Sequence, residues 1–369
     1  MTTLEIKETK TFIDLVGKAS TAASTKTDSI RSGILVVAKE NEISIRGTNE
    51  TTSVELSAKD ITETNEEVSF VAPAKIFLDM LRKLPSGDVE IVVEDGRLAI
   101  KVGKSSYGIS TLAVDEYPKP VRYAEGKIFQ VEAPTFADAL SSTIHACSLT
   151  ENRPILTGVH IVSNGKYLTL IATDSSRLMI TAVPVLKETE EFKNVVIPKS
   201  SVKELTALLL DEKEVELSIS DNQLSLKAEG VLFTTRLLEG SFPDVTQSIP
   251  VKNESEIVVH REELLKALER MKIALGKNGK IITTQVKEGT IPTLNIKCKT
   301  EITNFSEELF VEQTGSEISI KLHVYYLIDA LQSMTSKNVR LQFAGEMKPV
   351  TIRPDIEAAT QFGLVMPLR

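Results

Sequence analysis

Few side chains in this sequence could do chemistry, and they are scattered. The four histidines are His145, His160, His260 and His323, and none sits in an HExxH or other metal-ligand spacing. The two cysteines, Cys147 and Cys298, lie 151 residues apart and fit a reducing interior better than a disulfide framework. His145 and Cys147 invite a thiol–imidazole reading. At i and i+2 on a helix, however, their side chains diverge by about 200°, which leaves Cys147 as a buried structural thiol. The run Ala172-Thr173-Asp174-Ser175-Ser176-Arg177 supplies an acid, hydroxyls and a base. A hydrolase using Asp174 and a histidine would need a placed partner that the pattern does not supply, so the run reads as a turn stabilised by Asp174. CxxC, GxxxxGK[ST] and GxGxxG are absent, and Gly158-Val159-His160 leads into an alternating strand rather than a phosphate loop. The expectation is a protein with no catalytic residues, metal ligands or cofactor.

The elements that would position any site come from internal repetition, which has to be sought before motifs are weighed. The segment Pro73–Pro118 opens PAKIFLDMLRKLPSGDVEIVVEDGRLAIKVGK and closes TLAVDEYP; Pro198–Pro243 opens PKSSVKELTALLLDEKEVELSISDNQLSLKAEG and closes RLLEGSFP. Both pairs of prolines are offset by 125 residues, with a helix-period run and three short alternating runs between them. Asp95-Gly96 and Asp221-Asn222 occupy the same turn and suit a tight hairpin. A second pattern recurs at 4–20, 129–148 and 256–275: a short strand, a polar entry residue and an amphipathic helix whose Phe12, Leu15, Val16 answer to Phe136, Ala139, Leu140 and to Leu264, Ala267, Leu268. IKLHVYYLIDALQSMTSKNVRLQFAG completes the third copy. The chain therefore reads as three units of about 120 residues, placed at 1–122, 127–248 and 251–369, each built from two strand–helix–strand–strand–strand halves. The class is α+β, with hairpin-rich antiparallel sheets and two helices per domain packed on one face.

Composition bounds the partners. Of 369 residues, 41% are apolar and 25% charged, which are globular proportions. Fifty-one acidic against 43 basic side chains give a net charge of −8, which argues against coating nucleic acid by bulk charge. No run of 18 apolar residues exists, and MTTLEIKETK lacks the apolar core of a signal peptide, so a cytoplasmic protein with no membrane partner is expected. The charge is nevertheless segregated. Ile76, Phe77, Met80, Leu81 and Leu84 group on one side of a helix from residue 74, with Lys75, Arg82 and Lys83 on the other. Lys199 and Lys203 oppose Leu205, Leu208 and Leu209; Lys266 and Arg270 oppose Leu264, Leu268, Met271 and Leu275; Lys10 and Lys18 flank the first helix. Such faces could meet a phosphate backbone locally, without base readout and with strong salt dependence.

ENRPILTGVHI at 151–161, LIATDSSRLMI at 170–180, EGSFPDV at 239–245 and VMPLR at 365–369 resemble, in order and in spacing, the bacterial DNA polymerase III beta subunit family, the sliding clamps. The resemblance covers nearly the whole chain. It implies three DNA-clamp domains per chain and a ring-shaped head-to-tail homodimer threaded by double-stranded DNA without regard to sequence. It also implies a ring that tethers the DNA polymerase III catalytic subunit, the clamp loader and other proteins carrying a clamp-binding motif. A partner-peptide pocket would be walled by Leu156, Thr173, Ser175, Ser176, Arg177 and Leu178, then by Pro243, Gln247 and Ser248, by Met347 and Pro349, and by Leu364, Met366, Pro367 and Leu368. Leucine, methionine and proline make a greasy cleft, with Arg177 as orienting donor. DNA contacts would fall to Lys26, Lys75, Thr150, Arg153, Pro154, Ile155 and Lys199. The sequence departs from the family pattern at KTDSIRSGILV (26–36), at Lys321-Leu322-His323 and at Pro154-Ile155, which suggests a divergent member. The alternative from another class is a repeat-built peptide-binding adaptor that does not encircle DNA.

Overall fold

Alternation of apolar and polar residues folds into antiparallel strands throughout the chain. Arg97–Val102 buries every second residue, Val89–Glu94 buries Val89, Ile91 and Val92, and the two join through Asp95-Gly96. Both turn residues have positive φ (45° and 75°), the twist a two-residue hairpin requires. This computed structural model describes every residue except Met1, Asp28, Asp211, Asp221, Lys277, Asn278, Ala358 and Arg369, so the Asp221 half of the second predicted turn and the last residue of VMPLR lie outside the described residues. The described chain contains α1 (Thr9–Thr21), α2 (Ala74–Leu81), α3 (Ala133–Thr143), α4 (Lys199–Leu209), α5 (Arg261–Leu275) and α6 (Val324–Gln332). The strand–helix–strand–strand–strand order predicted for each half is observed in four of the six; the first half adds Thr62–Glu63 and the fifth adds Glu312–Gly315.

Contacts divide the chain into two compact units, Met1–Pro134 with Lys203–Leu237, and Thr135–Val202 with Leu238–Arg369. The division falls inside the central repeat, cutting α3 and α4.

Unit 1 holds a five-stranded sheet, ordered Thr62–Glu63, Thr2–Ile6, Val89–Glu94, Arg97–Val102, Ser105–Ser110. It also holds an eight-stranded sheet, ordered Lys127–Glu132, Glu214–Ile219, Gln223–Ala228, Val231–Arg236, Thr52–Lys59, Glu42–Thr48, Gly33–Lys39, Val68–Pro73. Helix α1 buries Phe12, Val16 and Ala19 against the latter. The approach is so close that a Cβ at Gly47 would lie 1.9 Å from the Ala19 carbonyl oxygen, so only glycine fits there. Phe77 of α2 meets Phe12 edge-on at 6.3 Å and Phe70 at 5.8 Å.

Unit 2 holds a nine-stranded sheet, ordered Phe192–Pro198, Gly158–Ser163, Tyr167–Thr173, Arg177–Pro184, Gln361–Val365, Val350–Pro354, Asn338–Phe343, Ser255–His260, Glu312–Gly315. Its four-stranded sheet runs Asn304–Phe310, Thr293–Lys299, Ile281–Lys287, Ile318–His323.

Each large sheet therefore continues across a repeat boundary. In unit 1, Val231–Thr235 pairs with Thr52–Leu56; in unit 2, Arg177–Thr181 pairs with Gln361–Val365. These two ladders are the first and second seams below. One helix face departs from expectation. Ile76 is 56% exposed, and α2 buries Ala74, Phe77 and Leu81 instead. Lying one residue before Phe77, Ile76 is turned about 100° away from that stripe, toward Lys75 and Lys83.

Candidate functional site

The second seam has two faces, and strand parity assigns residues to each. Gly363 faces α6, with Ala330 Cβ and Met334 Cε 3.6 Å from where its own Cβ would stand. Thr181 Oγ1 lies 3.0 Å from Ser142 Oγ at the end of α3. Residues 177, 179, 181, 361, 363 and 365 thus look toward the helices. The alternate set looks away, and the register strings it into two rows. One runs Val196, His160, Ile171, Ile180, Phe362; the next runs Thr173, Leu178, Leu364, Thr351. Leu156 joins the first row through a cluster with Val196 and Phe242, against which Ile155, Ile171 and Val245 pack. The His160 ring stacks on Phe242 at 4.5 Å, and burial pushes its pKa down to about 4, so it serves as a neutral aromatic filler.

The polar rim is built by one turn. Asp174 Oδ1 accepts from the backbone N–H of Ser176 (2.9 Å) and of Arg177 (3.1 Å), the turn-stabilising role expected of this acid. Thr173 Oγ1 donates to Arg177 O at 2.6 Å, and Ser175 takes a positive φ of 75°. Ser175 and Ser176 are exposed, while Leu178 is buried. The Arg177 side chain leaves on the helix side. Its Nε donates to Asp174 Oδ2 at 3.0 Å, Nη1 donates to Asp329 of α6, and the guanidinium lies 4.3 Å over the Tyr326 ring. Arg177 thus ties the turn to α6, and the apolar rows lie on the opposite face.

The end of the chain closes the same patch. Met366 N–H donates to Ser176 O and Leu368 N–H to Lys321 O, both at 2.9 Å. Met366, Pro367 and Leu368 are half-buried, and Leu364 is buried beside Leu178. Pro349 precedes Val350, which pairs with Val365; Met347 is exposed in the preceding turn. Pro243 follows buried Phe242, and Gln247 and Ser248 form an exposed 3-10 turn held by Asp244, whose Oδ1 accepts from Thr246 N–H at 3.0 Å. Ile171, Ile180 and Phe362 were not among the pocket residues read from the sequence. Their alternation with Leu178 and Leu364 was the available signal, and the missing link was the pairing of strands 180 residues apart.

The residues expected at DNA fall in both units. In unit 1, Lys75 is exposed at the second position of α2, and exposed Lys26 pairs with Glu50 at 3.4 Å. In unit 2, Lys199 opens α4, Thr150, Arg153 and Pro154 lie on an exposed loop, and Ile155 turns inward. Lys75 and Lys199 each add a cation to a helix N-terminus, where the backbone N–H groups already carry positive potential. Arg270 is held by Glu307, Nε to Oε1 at 2.6 Å, and Lys18 by Asp14 at 2.8 Å. At His145 and Cys147, burial pushes the thiol up to about 12 and holds the imidazole below its usual range.

Models of the DNA polymerase III beta subunit match the chain in three pieces: the N-terminal domain at 3–121, the central domain at 130–244 and the C-terminal domain at 246–369. The beta sliding clamp of Bacillus subtilis is 32% identical over 358 residues, 94% of each chain, and that of Halalkalibacterium halodurans 32% over 357 residues, 93% of each. Among solved structures, the Bacillus subtilis DNA polymerase sliding clamp superposes with a TM-score of 0.91 at 29% identity, covering 100% of this chain and 99% of that one. The DNA polymerase III beta chain of Streptococcus pneumoniae gives 0.92 at 27%, covering 100% of both. The chain belongs to the bacterial DNA polymerase III beta subunit family, the beta sliding clamps.

Proposed function

We propose that this sliding clamp works as a head-to-tail homodimeric ring around duplex DNA in the cytoplasm. There it holds the DNA polymerase III catalytic subunit on its template and receives the clamp loader and other partners through short peptides. Family membership along nearly the whole chain carries this reading. Lys26, Lys75, Thr150, Arg153, Pro154, Ile155 and Lys199 are assigned to DNA. The greasy outer face of the second seam, with Leu156, Thr173, Ser175, Ser176, Leu178, Pro243, Gln247, Ser248, Met347, Pro349, Leu364, Met366, Pro367 and Leu368, is assigned to the peptide; Arg177, expected as its orienting donor, is tied to Asp174 and Asp329 on the helix side. The clamp does no covalent chemistry of its own; a buried thiol with a pKa near 12 and an aspartate occupied in its own turn agree with that.

A topological link gives processivity without tight binding, and phosphate contacts that carry no sequence information let the ring slide. Loaded onto nicked circular duplex, the protein should stay bound through gel filtration and run off once the circle is cut. Lys75→Glu together with Lys199→Glu should shorten retention about tenfold and flatten its dependence on salt. A protein that leaves circles as fast as linear DNA is the peptide-binding adaptor instead, and the ring reading then falls.

A further inference from the structure

The first seam repeats the backbone frame and the turn bonds of the second. At an offset of 125 residues Ile30, Val71 and Tyr117 answer to Ile155, Val196 and Phe242, and each triplet joins one apolar cluster. Thr48 Oγ1 donates to Thr52 O at 3.0 Å as Thr173 Oγ1 does to Arg177 O at 2.6 Å. Asn49 Oδ1 accepts from the N–H of Thr51 and Thr52, both 2.8 Å, as Asp174 Oδ1 does from Ser176 and Arg177. Arg236 N–H donates to Thr51 O at 3.0 Å, as Met366 N–H does to Ser176 O at 2.9 Å. Ser53 pairs with Thr234 where Leu178 pairs with Leu364.

The frame is kept and the lining is inverted. Leu156, Leu178, Leu364 and Met366 are replaced by Arg31, Ser53, Thr234 and Arg236, and these four line a cavity of about 350 Å³ in unit 1. Lys119 adds a third cation, and the one acidic liner among the described residues, Glu50, lies 3.4 Å from Lys26. Arg31 Nε is buried without a hydrogen-bond partner among the described residues.

We propose that this cavity is a second peptide site, specific for extended segments bearing carboxylate side chains rather than apolar ones. Arg31 and Arg236 receive the carboxylates, and Ser53 and Thr234 supply neutral donors beside them. Choosing a peptide over a free anion rests on the reading of the second seam as a peptide pocket. Duplex DNA is the competing occupant, since Lys26, assigned to DNA, reaches the rim at Glu50; the lining nevertheless opens on the sheet face away from α1, because Thr48 and Ser53 alternate with Gly47, which touches that helix.

The test uses the full chain and two fluorescent hexapeptides, one with three glutamates and no apolar side chain, the other apolar. The acidic peptide should bind one per chain, lose about tenfold in affinity on Arg31→Ala and on Arg236→Glu, and be indifferent to truncation after Val365. Arg236 is exposed, so its variant keeps the test decisive if Arg31→Ala does not fold. No binding, binding unmoved by either variant, or full displacement by inorganic phosphate or short duplex DNA at equal affinity would overturn the proposal. Acidic binding without apolar binding would leave it standing and remove the peptide-pocket reading of the second seam.

Discussion

Truncation after Val365 is expected to weaken capture of an apolar partner peptide at least a hundredfold while the chain stays folded. The segment removed carries Met366, Pro367 and Leu368, half-buried just past the strand that ends at Val365. Burying one such side chain contributes about 1.5–3 kcal/mol, and a hundredfold loss needs only about 2.7 kcal/mol. The cost to the fold is small, because the ladder from Gln361 to Val365 stays intact and two backbone hydrogen bonds go, from Met366 N–H and Leu368 N–H. Titration with a labelled peptide, alongside thermal unfolding, separates the two effects. Unchanged affinity would remove these residues from the pocket.

Acidification from pH 8 to pH 5 is expected to stabilise the packing of α4 onto the first seam, and Glu204→Gln to abolish that gain. Glu204 is the counterpart of Asp329 at the 125-residue offset. Asp329 receives Arg177, whereas Thr52 stands in the place of Arg177 and Glu204 faces Asn49 Nδ2 at 3.4 Å. One carboxylate oxygen of Glu204 is buried with no partner among the described residues. Burial raises its pKa from 4.5 to about 7, against smaller opposing hydrogen bonds from Thr52 and Asn49. Because the folded pKa lies above the unfolded one, the contribution is complete below pH 4.5 and is lost as pH rises through about 7. Its size is on the order of 3 kcal/mol. Urea unfolding of the native chain and the Gln variant should therefore coincide near pH 4.5 and diverge by pH 8, with the variant more stable. Parallel pH profiles would show that Glu204 does not titrate in this window.

The elements were legible because each is a local pattern. Prolines spaced at 125 residues, the Asp95-Gly96 turn and the periodicity of α5 match the observed strands and helices in type and order. What joins the elements was not legible, because ladder pairing between residues such as Leu178 and Leu364 leaves no trace in either neighbourhood. Ile76 shows the same limit from another side. An apolar residue in a short helix was assigned to the buried stripe by type, while its angular position sets it among the lysines. The direction of Arg177 also depended on pairing, since only the match with Val365 tells that its side chain leaves toward α6.

The two seams have a mechanical consequence. The boundary stretches near 120–127 and 247–255 carry the backbone from one repeat to the next, yet load between neighbouring repeats passes through five consecutive ladder pairs at each seam, Val231–Thr235 on Leu56–Thr52 and Arg177–Thr181 on Val365–Gln361. The backbone between repeats is a tether laid beside a rivet. A protease nick between residues 120 and 127 should leave the severed first repeat fastened to the chain, co-eluting as one particle until denaturant opens the sheet.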